Sequence, residues 1–117
     1  MEIAVQADAA NKVLVVYLRG RLDVAGVQAM EAEFKRQIQL AAQPVLLELS
    51  GVEFMGSLGI RLLLASAKDL RQRSLPMVLL KPPALVEDTW YSAGLAEIVP
   101  VEHDFDSAVA TSRERGG

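Results

Sequence analysis

The run Leu49-Ser50-Gly51-Val52-Glu53-Phe54-Met55-Gly56-Ser57-Leu58-Gly59-Ile60-Arg61 constrains this chain more than any other stretch. Before it, Val45-Leu46-Leu47 has the unbroken apolar character of a strand covered on both faces. After it, apolar residues recur at helical spacing. The pattern predicts a buried strand over Val45 to Leu49, a short loop, and a serine in the first turn of a long helix. A hydroxyl placed there lies at the surface beside backbone N–H groups that have no partner inside the helix. It can accept a phosphate. No histidine, lysine or carboxylate is placed by the sequence to make it a nucleophile, and a catalytic serine needs such a base.

The rest of the chain alternates strand and helix signals. Ile3 to Gln6 and Val13 to Leu18 read as strands joined through the polar turn Asp8 to Lys12, a hairpin. Gly20-Arg21-Leu22-Asp23 should break the second strand. Val27, Met30, Phe34 and Ile38 then mark a helix, with Glu31 and Lys35 paired on another face. Pro44 ends it, because a residue before proline avoids helical geometry. The second helix should run from Ser57 to about Arg73, with Ile60, Leu63, Leu64, Ala67, Leu70 and Arg71 as its stripe. Met77 to Leu80 is a strand. Pro82-Pro83 opens a third helix through about Ala93, stopped by Gly94. Ile98-Val99 is a short edge strand around Pro100. Asp104 to Arg115 is a last helix capped by Asp104 or Asp106. A hairpin followed by repeated helix–strand units predicts a mixed sheet with helices packed on it.

Composition sets the outer limits. The chain has 117 residues, 51% hydrophobic, enough for one domain with a single core. It has no cysteine, so disulfides, thiolate metal sites and cysteine nucleophiles are excluded, and a reducing compartment fits. The net charge of −3 provides no basic field for nucleic acid. No apolar run approaches the roughly 20 residues that span a bilayer. Met1-Glu2-Ile3 does not read as a signal peptide, and a cytoplasmic setting without membrane insertion is expected. His103 is the single histidine, beside Glu102, Asp104 and Asp106. A metal or acid–base site can be imagined there, but a strand-end histidine beside helix-capping acids is the commoner arrangement. No catalytic residue, metal or cofactor is expected.

Three segments together carry a resemblance: Val16-Tyr17-Leu18-Arg19-Gly20-Arg21-Leu22-Asp23, Leu47-Glu48-Leu49-Ser50-Gly51-Val52-Glu53-Phe54-Met55, and Gly56-Ser57-Leu58-Gly59-Ile60-Arg61. With Trp90-Tyr91-Ser92-Ala93-Gly94-Leu95 they are similar to the STAS domain, a family that includes bacterial anti-sigma factor antagonists. The resemblance implies a single α/β domain over residues 1–115, with a mixed sheet of four to five strands and about four packed helices, and a frayed tail at 116–117. It implies binding to an anti-sigma factor or related serine kinase, broken when Ser57 is phosphorylated and restored by a phosphatase. It also implies a partner-binding surface of Asp23, Gly56, Ser57, Leu58 and Arg61.

The family's signalling form reads Asp-Ser-Ser/Thr-Gly-Leu-Gly, and many relatives read Ser-Ser-Ala-Gly-Leu-Arg. Here Gly56 replaces the acid, Leu58 the second hydroxyl, and Arg61 closes the motif. Those departures keep a second reading open: a constitutive adaptor on the ATPase of a lipid-transporting ABC system or in a signalling scaffold, without phosphorylation. Residue by residue, alternatives also stand. Ser57 is a phosphoacceptor or a simple N-cap. Asp23 caps the first helix or touches the partner. Arg61 reaches the Ser57 surface or is only solvated.

Overall fold

The computed structural model describes residues 1–116. Strands β1 (Glu2–Asp8) and β2 (Val13–Leu22) form an antiparallel hairpin. The Asp8 carboxylate closes its turn by accepting from the Asn11 N–H at 2.9 Å and from Asn11 Nδ2 at 3.1 Å. Gly20 was expected to end β2, yet the strand continues to Leu22. Strand β3 (Val45–Met55) supplies the reason: it pairs in parallel with β2 from Leu14↔Val45 to Leu22↔Met55. Two register irregularities, at Tyr17/Arg19 and Gly20/Arg21, are absorbed partly by Gly20 at φ 116°. The same pairing turns the expected loop after Leu49 into strand, so β3 runs to Met55.

Three further units follow. Helix α1 (Val24–Leu40) crosses from β2 to β3, and α2 (Ser57–Gln72) from β3 to β4 (Met77–Leu80). Helix α3 (Ala84–Ser92) and a 3₁₀ turn (Leu95–Glu97) lead to β5 (Val101–Glu102), and α4 (Phe105–Gly116) ends the described chain. The five strands lie in the order β1-β2-β3-β4-β5, with β2 to β5 parallel. This is the mixed five-stranded sheet with four helices that the resemblance implies. The expected strand at Ile98-Val99 is displaced past Pro100, because the 3₁₀ turn takes up Leu95–Glu97 and Ile98 only caps it. Gly94 stops α3 as expected, in the left-handed region at φ 75°. Of the predicted tail, Gly116 closes α4, and Gly117 lies outside the described residues.

The sheet separates two apolar layers. The larger joins β2 and β3 to Val27, Met30, Phe34 and Ile38 of α1, to Leu62, Leu63, Ala67 and Leu70 of α2, and to Val86 and Trp90 of α3. The smaller seats Ala108 and Val109 of α4 on Val13, Val15, Leu46, Val78 and Leu80. Met30, Met55 and Met77 are core residues as expected. Trp90 is fully buried and its indole N–H donates to the Val99 carbonyl at 3.0 Å, tying α3 to the approach of β5. Arg73 closes the bottom of the helical layer: its guanidinium donates to the carbonyls of Ile38 and Ala41 at 2.6 and 2.8 Å, satisfying the end of α1 from α2.

The buried stripe of α2 is Gly59, Leu62, Leu63, Ser66, Ala67 and Leu70. The expected stripe is therefore rotated. Ile60 and Leu64 are half-buried at its margin, and Arg71 is exposed. Truncating a leucine in a filled core costs about 2–5 kcal/mol through lost transfer energy and a cavity. Leu62→Ala and Leu63→Ala should each lower unfolding free energy by that amount, Leu64→Ala by less than half as much, and Arg61→Ala by almost nothing. Urea denaturation of the four variants measures this order. Equal effects at Leu63 and Arg61 would contradict the helix face described.

Candidate functional site

All four helices start at one end of the sheet, because each follows a strand of the parallel set. Two of these starts meet at Leu22. The Gly56 N–H donates to the Leu22 carbonyl at 3.0 Å. A Cβ on Gly59 would lie 2.9 Å from the Leu22 Cβ, closer than real side chains approach, and a tight 3.1 Å from its carbonyl oxygen. On the other side of the junction a Cβ on Gly26 would overlap the Arg21 carbonyl oxygen. The first turns of α1 and α2 are thus held against the end of β2 by glycines that admit nothing larger than hydrogen.

Asp23 is the N-cap of α1. Its backbone is extended and its Oδ1 accepts from the Gly26 N–H at 2.8 Å. That bond holds the carboxyl below its ordinary range, partial desolvation opposes it, and Arg21, whose Nε donates to Oδ2 at 3.3 Å, adds to the lowering. The capping reading of Asp23 is realised, which also places its carboxylate beside the Ser57 junction.

Gly56, and not Ser57, is the N-cap of α2, with extended backbone and no side chain to offer. The capping reading of Ser57 is therefore corrected: the serine is the first helical residue. It is exposed. The first intrahelical bond of α2 runs from the Ile60 N–H to the Gly56 carbonyl at 3.0 Å. The N–H groups of Ser57, Leu58 and Gly59 precede it and have no acceptor within the helix. Together with the positive end of the helix dipole, they make this surface favourable for negative charge.

The other predicted residues surround that point in different ways. Leu58 is half-buried and leans on the main core, so it positions the turn as much as it presents surface. Arg61 is exposed and forms no ion pair among the described residues. Three further residues, Arg21, Phe54 and Val24, carry no site signal in the sequence. The Arg21 guanidinium sits 4.7 Å over the Phe54 ring, and that ring lies 3.2 Å from where a Gly56 Cβ would be. Val24, first residue of α1, is 56% exposed. Cross-strand pairing of Arg21 with Phe54 brings the first pair together, and no spacing along the chain signals it.

His103 lies elsewhere. Its Nε2 bonds both Glu87 oxygens on α3, at 2.8 and 2.9 Å. Asp104 is occupied in accepting from the Ser107 N–H at 2.8 Å, and Glu102 accepts from the Thr111 hydroxyl at 2.7 Å. The acids that flank His103 in sequence thus serve helix ends and side-chain ties. No group of three or more metal-ligating side chains occurs among the described residues. No helix among them is long and apolar enough to cross a membrane.

Comparison with known proteins matches this geometry to a family. The STAS domain profile covers residues 4–108. The candidate anti-sigma factor antagonist BtrV of Bordetella bronchiseptica is 29% identical over 103 residues, 88% of this chain and 89% of that protein. A candidate anti-sigma factor antagonist from Thermotoga maritima superposes with a TM-score of 0.83 at 17% identity, over 95% of this chain and 94% of the other. Phosphorylated SpoIIAA from Bacillus, a cell fate determinant, superposes with a TM-score of 0.67 at 21% identity, over 94% of this chain and 98% of its own. At those identities the structural matches establish the fold, and the family follows from the profile that spans most of the sequence: this chain belongs to the STAS domain family.

Proposed function

We propose that this protein is an anti-sigma factor antagonist that works as a phospho-switch. In this reading the starts of α1 and α2, with Asp23, Gly56, Ser57, Leu58 and Arg61, dock on an anti-sigma factor that is also a serine kinase. The partner phosphorylates Ser57 and lets go, and a phosphatase resets the cycle. The protein acts by binding in the cytoplasm and carries out no chemistry of its own. The observation that carries the reading is the exposed hydroxyl of Ser57 at the first position of α2, beside three N–H groups with no helical acceptor. The similarity to BtrV supports the same role.

One phosphate can act as a switch without disturbing the fold, because its charge is favourable at the helix start and costly in an interface. A phosphoserine adds about −1.5 to −2 charges. At a helix N-terminus that charge is stabilised by the dipole and the free N–H groups. Inside a close protein interface the same charge meets desolvation and repulsion, a penalty on the order of 3 kcal/mol. At about 1.4 kcal/mol per tenfold, binding weakens by roughly 10²-fold. Gly56 places no acid next to the hydroxyl, so the unmodified surface carries less negative charge there than the Asp-Ser form of the family.

Incubated with its kinase partner and ATP, the protein should gain one phosphate, and Ser57→Ala should abolish it, as intact-mass and peptide mass spectrometry would report. Phosphate found only at another residue would remove Ser57 from this role. A chain that binds an ABC-system ATPase and gains no phosphate would instead be an adaptor.

Ser57→Asp provides a separate test. Because Gly56 already occupies the cap position, the new carboxylate acts at the first helical residue, where it suits the dipole. The melting temperature should stay within a few degrees of the parent, while affinity for the kinase partner falls by tenfold or more in calorimetry. Lost affinity that tracks a large fall in melting temperature would show unfolding and not local charge.

A further inference from the structure

The two edges of the sheet are built differently. The β5 edge is two residues long, follows Pro100, and leads through Asp104 into α4. It offers little to another strand. The β1 edge has seven residues, Glu2–Asp8, longer than the usual strand of about 5–6. All seven pair with β2 in one unbroken register, so no bulge twists the edge away. From Ile3 to Ala7 there is no charge and no proline. Ala4, Val5, Gln6 and Ala7 are exposed, Val5 to 37%. Sheet edges of soluble proteins are normally blunted by shortness, charge, proline or bulges, because unpaired N–H and C=O groups recruit strands. Shortness and proline blunt β5; none of the four devices blunts β1 between its ends.

We infer that β1 is a docking edge for an extended segment of a partner protein, one with an uncharged, strand-forming centre and a basic residue at each end. The charge pattern selects this occupant. Glu2 and Asp8 bracket the uncharged centre and neither is in an ion pair among the described residues, although Arg19 lies across from Glu2 on β2 and each Asp8 oxygen already accepts one bond from Asn11. Lysine or arginine at both ends of an added strand would face opposite charge. A second copy of this chain would not: antiparallel self-pairing that uses all seven residues is centred on Val5 and sets Glu2 of each copy against Asp8 of the other. Main-chain bonds would provide the attachment and the end charges the selectivity, as in other strand-addition interfaces. Such a contact lies on a surface distinct from α2 and does not depend on phosphorylation of Ser57.

The probe is a seven-residue peptide, acetyl-Lys-Thr-Val-Thr-Val-Thr-Lys-amide, set beside its analogue with glutamate at both ends. Titrated into isotopically labelled protein, the lysine peptide should shift the amide resonances of residues 2–8 and bind at least tenfold tighter than the glutamate peptide. Glu2→Lys should erase most of that preference without affecting the fold. Along β1, consecutive residues direct their N–H groups alternately to β2 and to solvent. Of Val5→Pro and Gln6→Pro, one therefore removes an outward donor and keeps its ladder bonds. That variant, recognised by an unchanged circular dichroism spectrum, should lose peptide binding. Equal binding of the two peptides, or resonance shifts confined to other elements, would overturn the inference. So would a dimer in sedimentation velocity that the folded proline variant abolishes, since the occupant would then be a second copy.

Discussion

The contact on which the site depends is the packing of backbone against backbone at Leu22. This residue ends β2, buries its side chain in the main core, and offers its carbonyl to the Gly56 N–H. Gly59 approaches so closely that a methyl group would displace Leu22 or open the β3–α2 junction. Gly26 meets the Arg21 carbonyl in the same manner from α1. Because interiors are filled at crystal-like density, neither helix can shift to make room without uncovering its own apolar stripe. The first turn of α2, and Ser57 with it, is therefore held by the core and not by a side-chain cap.

That arrangement separates the surface chemistry from stability. Asp23 stabilises the start of α1 through the Gly26 N–H, a bond that uses its charge inside the domain. Gly56 makes no equivalent bond for α2, so the donors at the start of α2 remain available at the surface. Two neighbouring helix starts thus have opposite characters, one closed by a carboxylate and one open to an anion. The Arg21–Phe54 stack beside them adds a cation whose other contact is Asp23. A negative group at Ser57 would enter a region already arranged by local dipoles, with no need to reorganise the core.

Much of this was legible in the residues. The β-branched and apolar runs located β1 to β4, the helical recurrence of Val27, Met30, Phe34 and Ile38 gave the inner face of α1, and Asp23 read correctly as a cap. The motif around Gly56 and Ser57 gave the start of α2. The misread features share a physical cause. Residues 50–55 looked like a loop because Ser50, Gly51 and Glu53 have no strong preference for strand. They are strand because the extended end of β2 offers them partners, and β-structure is decided by pairing more than by propensity. The α2 stripe lies one position from where the periodicity sets it, because Ile60 and Leu64 are as apolar as Leu62. Only packing on β3 and α1 selects which face turns inward.

The sequence by itself determined the alternation of elements, the one-domain size, the absence of any thiol chemistry and the presence of a serine at a helix start. Those follow from local preference, periodicity and composition, which act within a few residues along the chain. Tertiary structure alone decided that Leu22, Gly26, Gly56 and Gly59 form one junction, that Arg21 stacks on Phe54, that Arg73 closes α1, and that His103 faces Glu87. It also decided that β1 is left as an open edge while β5 is cut short. Each of these depends on strand register and on groups distant in sequence, and register is set only when the whole core closes.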